Sequence, residues 1–200
     1  MLGASDLSAL AYRAVFKGLL LTVTELVAPE YLDLDALVEL WVAAFRAAPG
    51  DAPDGIAALC AQFWTHDCAH ETRAAVLDAA RRRFPASFVP LVRLALALSG
   101  TAPGAPAPET AAAVVDLLAH QSTLALVLPR GGLWDVAGDG EHVEYTLRAP
   151  LRVPHTSVTL PAGTRGWLVS PPDAPPVVLW QLAAPVSAWH LLRDALQQAT

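Results

Sequence analysis

The spacing of apolar residues changes character near Gln121, and no single layer of helices or of strands suits both halves of the chain. Before that point apolar residues recur three and four apart. After it come short β-type runs cut by glycine and proline pairs, and 12 of the 17 prolines lie from Pro103 onward. Strands that end often, with edges to protect, use proline in this way.

In the first half, Leu7, Leu10, Ala14, Gly18 and Leu21 form one stripe of a first helix, which Ser5 or Asp6 can cap and Pro29 follows. A second helix, from about Asp33 to Ala48, aligns Leu34, Leu37, Val38, Trp41 and Phe45 before Pro49-Gly50 stops it. A third starts near Asp54 and buries Ile56, Leu59, Cys60 and Phe63. A fourth, from about His70 to Phe84, offers Val76, Leu77 and Ala80, and Pro85 ends it. The fifth, SFVPLVRLALALSG, tolerates Pro90 in its first turn. Only Pro90 and Arg93 break its apolar surface, so it should be covered on several sides. A Pro-rich loop over 101–109 leads to a sixth helix with Val114, Val115, Leu117 and Leu118 inward. Short connections imply antiparallel neighbours, and successive pairs can stack into a solenoid.

The second half reads as five strands: TLALVL, EHVEYTLR, LRVP, WLVS and VVLW. In EHVEYTLR, Val143, Tyr145 and Leu147 face one way. Pro161-Ala162-Gly163 fits a type II turn, with glycine taking the positive φ. Ser187 then caps SAWHLLRDALQQA, with Trp189, Leu192 and Leu196 on one side. The expected fold is mainly α: an α-solenoid of antiparallel helices over 1–121, an inserted small SH3-like β-barrel over 122–186, and a C-terminal helix over 187–200 that returns to the solenoid.

Composition narrows the function. The chain is 54% hydrophobic and 16% charged, enough for a sizeable core and too apolar for a disordered tail. Its formal charge is −6, with no basic face for nucleic acid. Arg81-Arg82-Arg83 reads as a solvated helix end beside the dipole. Lys17 and Glu25 interrupt the longest apolar run, so no membrane span is expected, nor is a signal peptide. Two cysteines give no disulfide framework and suit a reducing compartment.

In CAQFWTHDCAH, Cys60, His66, Cys68 and His70 are of zinc-ligand type. His66-x-Cys68-x-His70 is tight, however, and a helix-to-helix turn with a small buried cysteine explains the stretch better. Asp67 and Glu71 beside His70 fit helix capping. There is no GxSxG, HExxH, P-loop or GxGxxG, and His120, His142, His155 and His190 are scattered and spell no catalytic motif. No catalytic residue, metal or cofactor is therefore expected. Trp134, Tyr145, Trp167 and Trp180 could line a groove for an extended or Pro-rich peptide. The competing role for Trp167 and Trp180 is to fill a small β core, and their flanking strand-type residues favour it.

The FW of Phe63-Trp64, the RFP of Arg83 to Pro85 and the following FVPLVRLALAL resemble the N-terminal helical region of the large inner-ring scaffold nucleoporins, and most closely the nucleoporin 188 class. LPAGTRGWLVS, VVLW and SAWHLL resemble that family's SH3-like insertion and the helix after it. The resemblance implies a structural scaffold subunit, not an enzyme, in the inner ring of the nuclear pore complex at the nuclear envelope. It further implies contacts with linker and other scaffold nucleoporins, support of protein and mRNA transport, and a much longer parent chain. No FG dipeptide occurs, so a barrier segment is not expected. The alternatives are an adaptor whose SH3-like barrel binds extended or Pro-rich peptides, a zinc-stabilised domain or zinc enzyme, and a cargo-binding helical repeat of the transport-receptor kind.

Overall fold

The computed structural model describes residues 4–27, 33–46, 53–65, 70–100, 107–128, 132–138, 143–170 and 175–199. Among them the helices are α1 (Ala4–Leu26), α2 (Leu34–Phe45), α3 (Pro53–Thr65), α4 (His70–Arg81), α5 (Val89–Leu98), α6 (Pro108–Ala119) and α7 (Ala188–Ala199). The strands are β1 (Gln121–Val127), β2 (Trp134–Ala137), β3 (Glu144–Leu147), β4 (Leu151–Arg152), β5 (Thr159–Leu160), β6 (Arg165–Leu168) and β7 (Val177–Val186). The chain divides into two compact units, one of Met1–Ala80 with Val89–Asp116, the other of Arg81–Phe88 with Leu117–Thr200.

This is a mixed α/β chain, and the expected mainly α solenoid with an inserted barrel is overturned. Five strands form one antiparallel sheet in the order β1-β7-β6-β3-β2, and β4 pairs with β5 in a separate hairpin. Among the described residues the sheet is open, with β1 and β2 at its edges. Helix α7, expected to return to the helical stack, belongs to the same compact unit as the sheet. The physical reason lies in main-chain hydrogen bonding after α4. Where a solenoid would simply turn into its next helix, Ala125 donates to the Phe84 carbonyl at 2.8 Å and accepts from Ala86 at 3.1 Å. The segment between α4 and α5 is thereby stitched to β1. Arg81 and Gln121 reinforce it: the Arg81 Nε donates to Gln121 Oε1 at 3.1 Å, and Gln121 Nε2 donates to the Arg81 carbonyl at 3.0 Å. Arg81 is therefore a structural residue and not a solvated helix end, whereas Arg82 and Arg83 are exposed.

In the helical unit, α2 starts at Asp33, whose carboxylate accepts from the Asp35 and Ala36 amides at 3.0 and 3.3 Å. This cap satisfies two of the donors a helix start leaves free. The expected inward positions of α2, α3 and α4 are all buried. Trp41 and Phe45 stack with centroids 5.4 Å apart, and Phe63 of α3 meets both edge-on. Leu91, Leu94 and Leu98 bring α5 into this core, chiefly against α2. Cover of α5 on several sides is not found: Val89 and Leu96 are exposed. On α6, Val114 and Leu118 are buried but Val115 is exposed.

Helix α1 also departs from its expected stripe. Leu20 and Thr24 are buried, whereas Ala14 and Gly18 are exposed. The run VFKGLLLTV is apolar almost all round, so its period alone cannot select which face packs.

In the sheet unit, β7 pairs with the edge strand β1 on one side and with the central strand β6 on the other. Gly166 of β6 lies opposite Tyr145 of β3 and Trp180 of β7. A Cβ there would come within 2.6 Å of Val178 Cγ1 and 2.8 Å of the Leu179 carbonyl oxygen, so glycine is what lets β6 lie against β7. Gly163 takes φ 82° at the third position of the Pro161–Thr164 turn, closed by a 3.3 Å hydrogen bond from Thr164 N to the Pro161 carbonyl. The positive φ falls on the glycine, as expected for a type II turn or a close relative. The β4–β5 hairpin adds buried Val153 and Leu160. Asp194 of α7 accepts from the Ser157 amide and hydroxyl at 3.2 and 2.7 Å, which ties α7 to that hairpin. The inward side of α7 is formed by Ala188 and Leu191; of the expected row Leu192 is half-buried, while Trp189 and Leu196 are exposed.

Candidate functional site

The register of the sheet decides which aromatic residues can act together. Residues directly opposite on antiparallel strands share a face, and neighbours along a strand alternate. Trp134 pairs with Leu147, Tyr145 with Gly166, and Gly166 with Trp180, which puts Trp134, Tyr145 and Trp180 on one face. Trp167 pairs with Glu144 and Leu179 and therefore belongs to the other face. The four aromatics do not converge on one groove.

Their environments differ accordingly. Trp180 is 0% exposed, a core residue pressed against the Cα of Gly166. Its indole N–H meets no acceptor among the described residues, and the same holds for Trp41. Trp134 and Tyr145 are half-buried. Trp167 is 41% exposed and lines a shallow depression with Glu144, Arg165, Gln181 and the Pro161–Thr164 turn. Arg165 Nε lies 3.3 Å from Glu144 Oε1 across the β3–β6 pair. Farther along this face Arg148 donates to Asp135, its Nε at 2.7 Å from Oδ1, and this bond holds the Asp135 carboxyl below the usual range. A flat indole beside one carboxylate and one guanidinium group can stack on a planar or proline-rich segment. None of these groups is arranged as a nucleophile with a base.

Of the four zinc-type residues, His66, Cys68 and the side chain of His70 lie outside the described residues. Cys60 is fully buried, its Sγ 3.5 Å from the Ala97 carbonyl oxygen and 3.8 Å from that of Phe45. Burial pushes its thiol up to about 12, so it is held neutral, whereas a zinc ligand must be a thiolate. Among the described residues no three His, Cys, Asp or Glu side chains gather as a metal group.

The surface that sequence reasoning missed is the outer face of α1. Tyr12, Val15, Leu19, Val23 and Leu26 are exposed in a row. Their spacing of three and four was visible in the sequence; what hid them was the equally apolar opposite side. No helix among the described residues is long and apolar enough to cross a membrane. The chain matches no family model, and no curated protein matches its sequence.

Proposed function

We propose that this protein is a structural scaffold subunit of the nuclear pore complex inner ring and not an enzyme. It supports nucleocytoplasmic transport by contacts with linker and other scaffold nucleoporins at the nuclear envelope. The observation that carries this proposal is the position of the residues bearing the nucleoporin resemblance. Phe84 of the RFP segment is buried and its carbonyl accepts from β1, and Leu91, Leu94 and Leu98 of FVPLVRLALAL are interior. The resemblance is thus carried by packing residues of these segments, and the proposal rests on them and not on the solenoid-and-barrel arrangement, which the sheet overturns. Exposed large apolar side chains on α1, α5 and α7 add support, because protein contacts use such surfaces.

The test is localisation. A tagged protein should give a punctate rim around the nucleus and co-purify with other pore components. A diffuse distribution without such partners would remove the proposal. The peptide-adaptor alternative is favoured by one observation, the half-exposed Trp167 beside Glu144 and Arg165. It requires saturable quenching of tryptophan fluorescence by a Pro-rich peptide, lost in Trp167→Ala.

A further inference from the structure

The outer face of α1 is more apolar than a solvated helix face should be. Ala11, Tyr12, Ala14, Val15, Gly18, Leu19, Val23 and Leu26 are exposed on it, and Glu25 is the only charged residue among the exposed positions described on α1. Tyr12 is 77% exposed, Val15 64%, Leu19 59%, Val23 44% and Leu26 78%. These exposures amount to roughly 500 Å² of apolar side chain, most of the ~800 Å² per partner that a standard interface buries. With the small residues alongside, the helix presents an area sufficient for a stable pair.

Three observations favour a second copy of this chain as the occupant. First, the row is symmetric about Leu19. Its steps run three, four, four, three, so an antiparallel copy would set Tyr12 against Leu26, Val15 against Val23, and Leu19 against Leu19. An isologous two-fold interface requires this kind of self-complementarity. Second, Ala11, Ala14 and Gly18 flank the row, and a Cβ at Gly18 would meet nothing within 4 Å, so a facing helix can approach closely. Third, the cations of α1 lie off this row and are hydrogen-bonded within the helical unit. Arg13 donates to the Ala43 and Arg46 carbonyls at 3.1 and 2.8 Å, and Lys17 donates to Gln62 Oε1 at 2.9 Å. A helix lying on anionic lipid would present such cations at its rim, and this one does not.

We propose that α1 mediates homodimerisation through an antiparallel helix pair centred on Leu19. This does not depend on the nuclear pore assignment. Sedimentation equilibrium of the full chain, carried to about 100 µM, measures it. The expected mass is twice the 21.1 kDa of one chain. Leu19→Glu should weaken the dimer about tenfold or more, with circular dichroism and melting unchanged because Leu19 faces outward. Leu19→Cys in a Cys68→Ser background should give a covalent dimer with a short bis-maleimide, and Leu96→Cys in the same background should not. A monomer mass at every concentration overturns the proposal. So does a dimer indifferent to Leu19→Glu, a dimer that Leu19→Cys fails to cross-link, an assembly that keeps growing with concentration, or a monomer whose binding to anionic vesicles Leu19→Glu abolishes.

Discussion

Gly166→Ala adds one methyl group at a site where the fold has no room for it. The new Cβ would sit 2.6 Å from Val178 Cγ1, 2.8 Å from the Leu179 carbonyl oxygen and 2.9 Å from Trp180 Cε3. Ordinary contacts at these atoms begin near ~3.4 Å, so the strands must part by about half an ångström or more. Val178 and Trp180 are fully buried and the third neighbour is backbone, so none can swing aside. Overpacking of this kind costs about 1–3 kcal/mol. The backbone clash puts Gly166→Ala at the upper end, about 3 kcal/mol, or roughly a hundredfold in the unfolding constant of the sheet unit. Urea unfolding followed by tryptophan fluorescence and by circular dichroism reads the change as a lower midpoint. The control is Gly18→Ala in α1, where the added Cβ meets nothing within 4 Å. That change should stabilise by about 0.5–1 kcal/mol, because alanine loses less entropy on entering a helix. A Gly166→Ala protein within about 0.5 kcal/mol of the parent would refute the close β6–β7 approach.

Two further predictions follow from burial and hydrogen bonding. Leu94 is fully buried while Leu96, two residues on, is exposed. Leu94→Asp should lose the ~1.5–3 kcal/mol of a buried leucine and add the cost of an unpaired buried carboxylate, leaving an insoluble or molten helical unit, while Leu96→Asp should melt normally. Cooperative melting of Leu94→Asp would mean that α5 is not the core helix. Donation from the Ser157 hydroxyl, helped by Arg193 and the Ser157 amide, holds the Asp194 carboxyl below its usual range. A depressed carboxylate stabilises the fold above its unfolded value near ~4 and loses that contribution as pH falls through its lower folded value. Melting temperature should therefore drop between about pH 4 and pH 2 by more in the parent than in Asp194→Asn, and equal slopes would show that the bond to Ser157 is not formed in solution.

Helical periodicity was enough to place α2, α3 and α4 and their inward residues. In α2 the apolar positions Leu34, Leu37, Val38, Trp41 and Phe45 share one side and the two charged residues, Asp35 and Glu39, lie on the other, which selects the side that packs. The same method mistook the packed sides of α1 and α7. VFKGLLLTV has apolar residues on both sides, and α7 offers Trp189 and Leu196 on one side against Ala188 and Leu191 on the other. Strands β2 and β5 were not expected. WDVA is bounded by glycine turn signals, and Thr159-Leu160 is too short to alternate.

By itself the amino-acid sequence determined where helices give way to strands and that glycine must take the turn at 163; of the two tryptophans it placed in a β core, Trp167 and Trp180, only Trp180 is buried. It also limited the chemistry, because its residues spell no familiar catalytic grouping. Tertiary structure alone decided that the segment around Phe84 hydrogen-bonds to β1, that α7 belongs with the sheet, and that Trp167 faces away from Trp180. Each of these depends on pairing between residues far apart in the chain. A strand shifted by one residue would turn every side chain to the opposite face. Local pattern fixes an element's period, but its partners fix the register, and register determines which aromatic or apolar row is left for another molecule to meet.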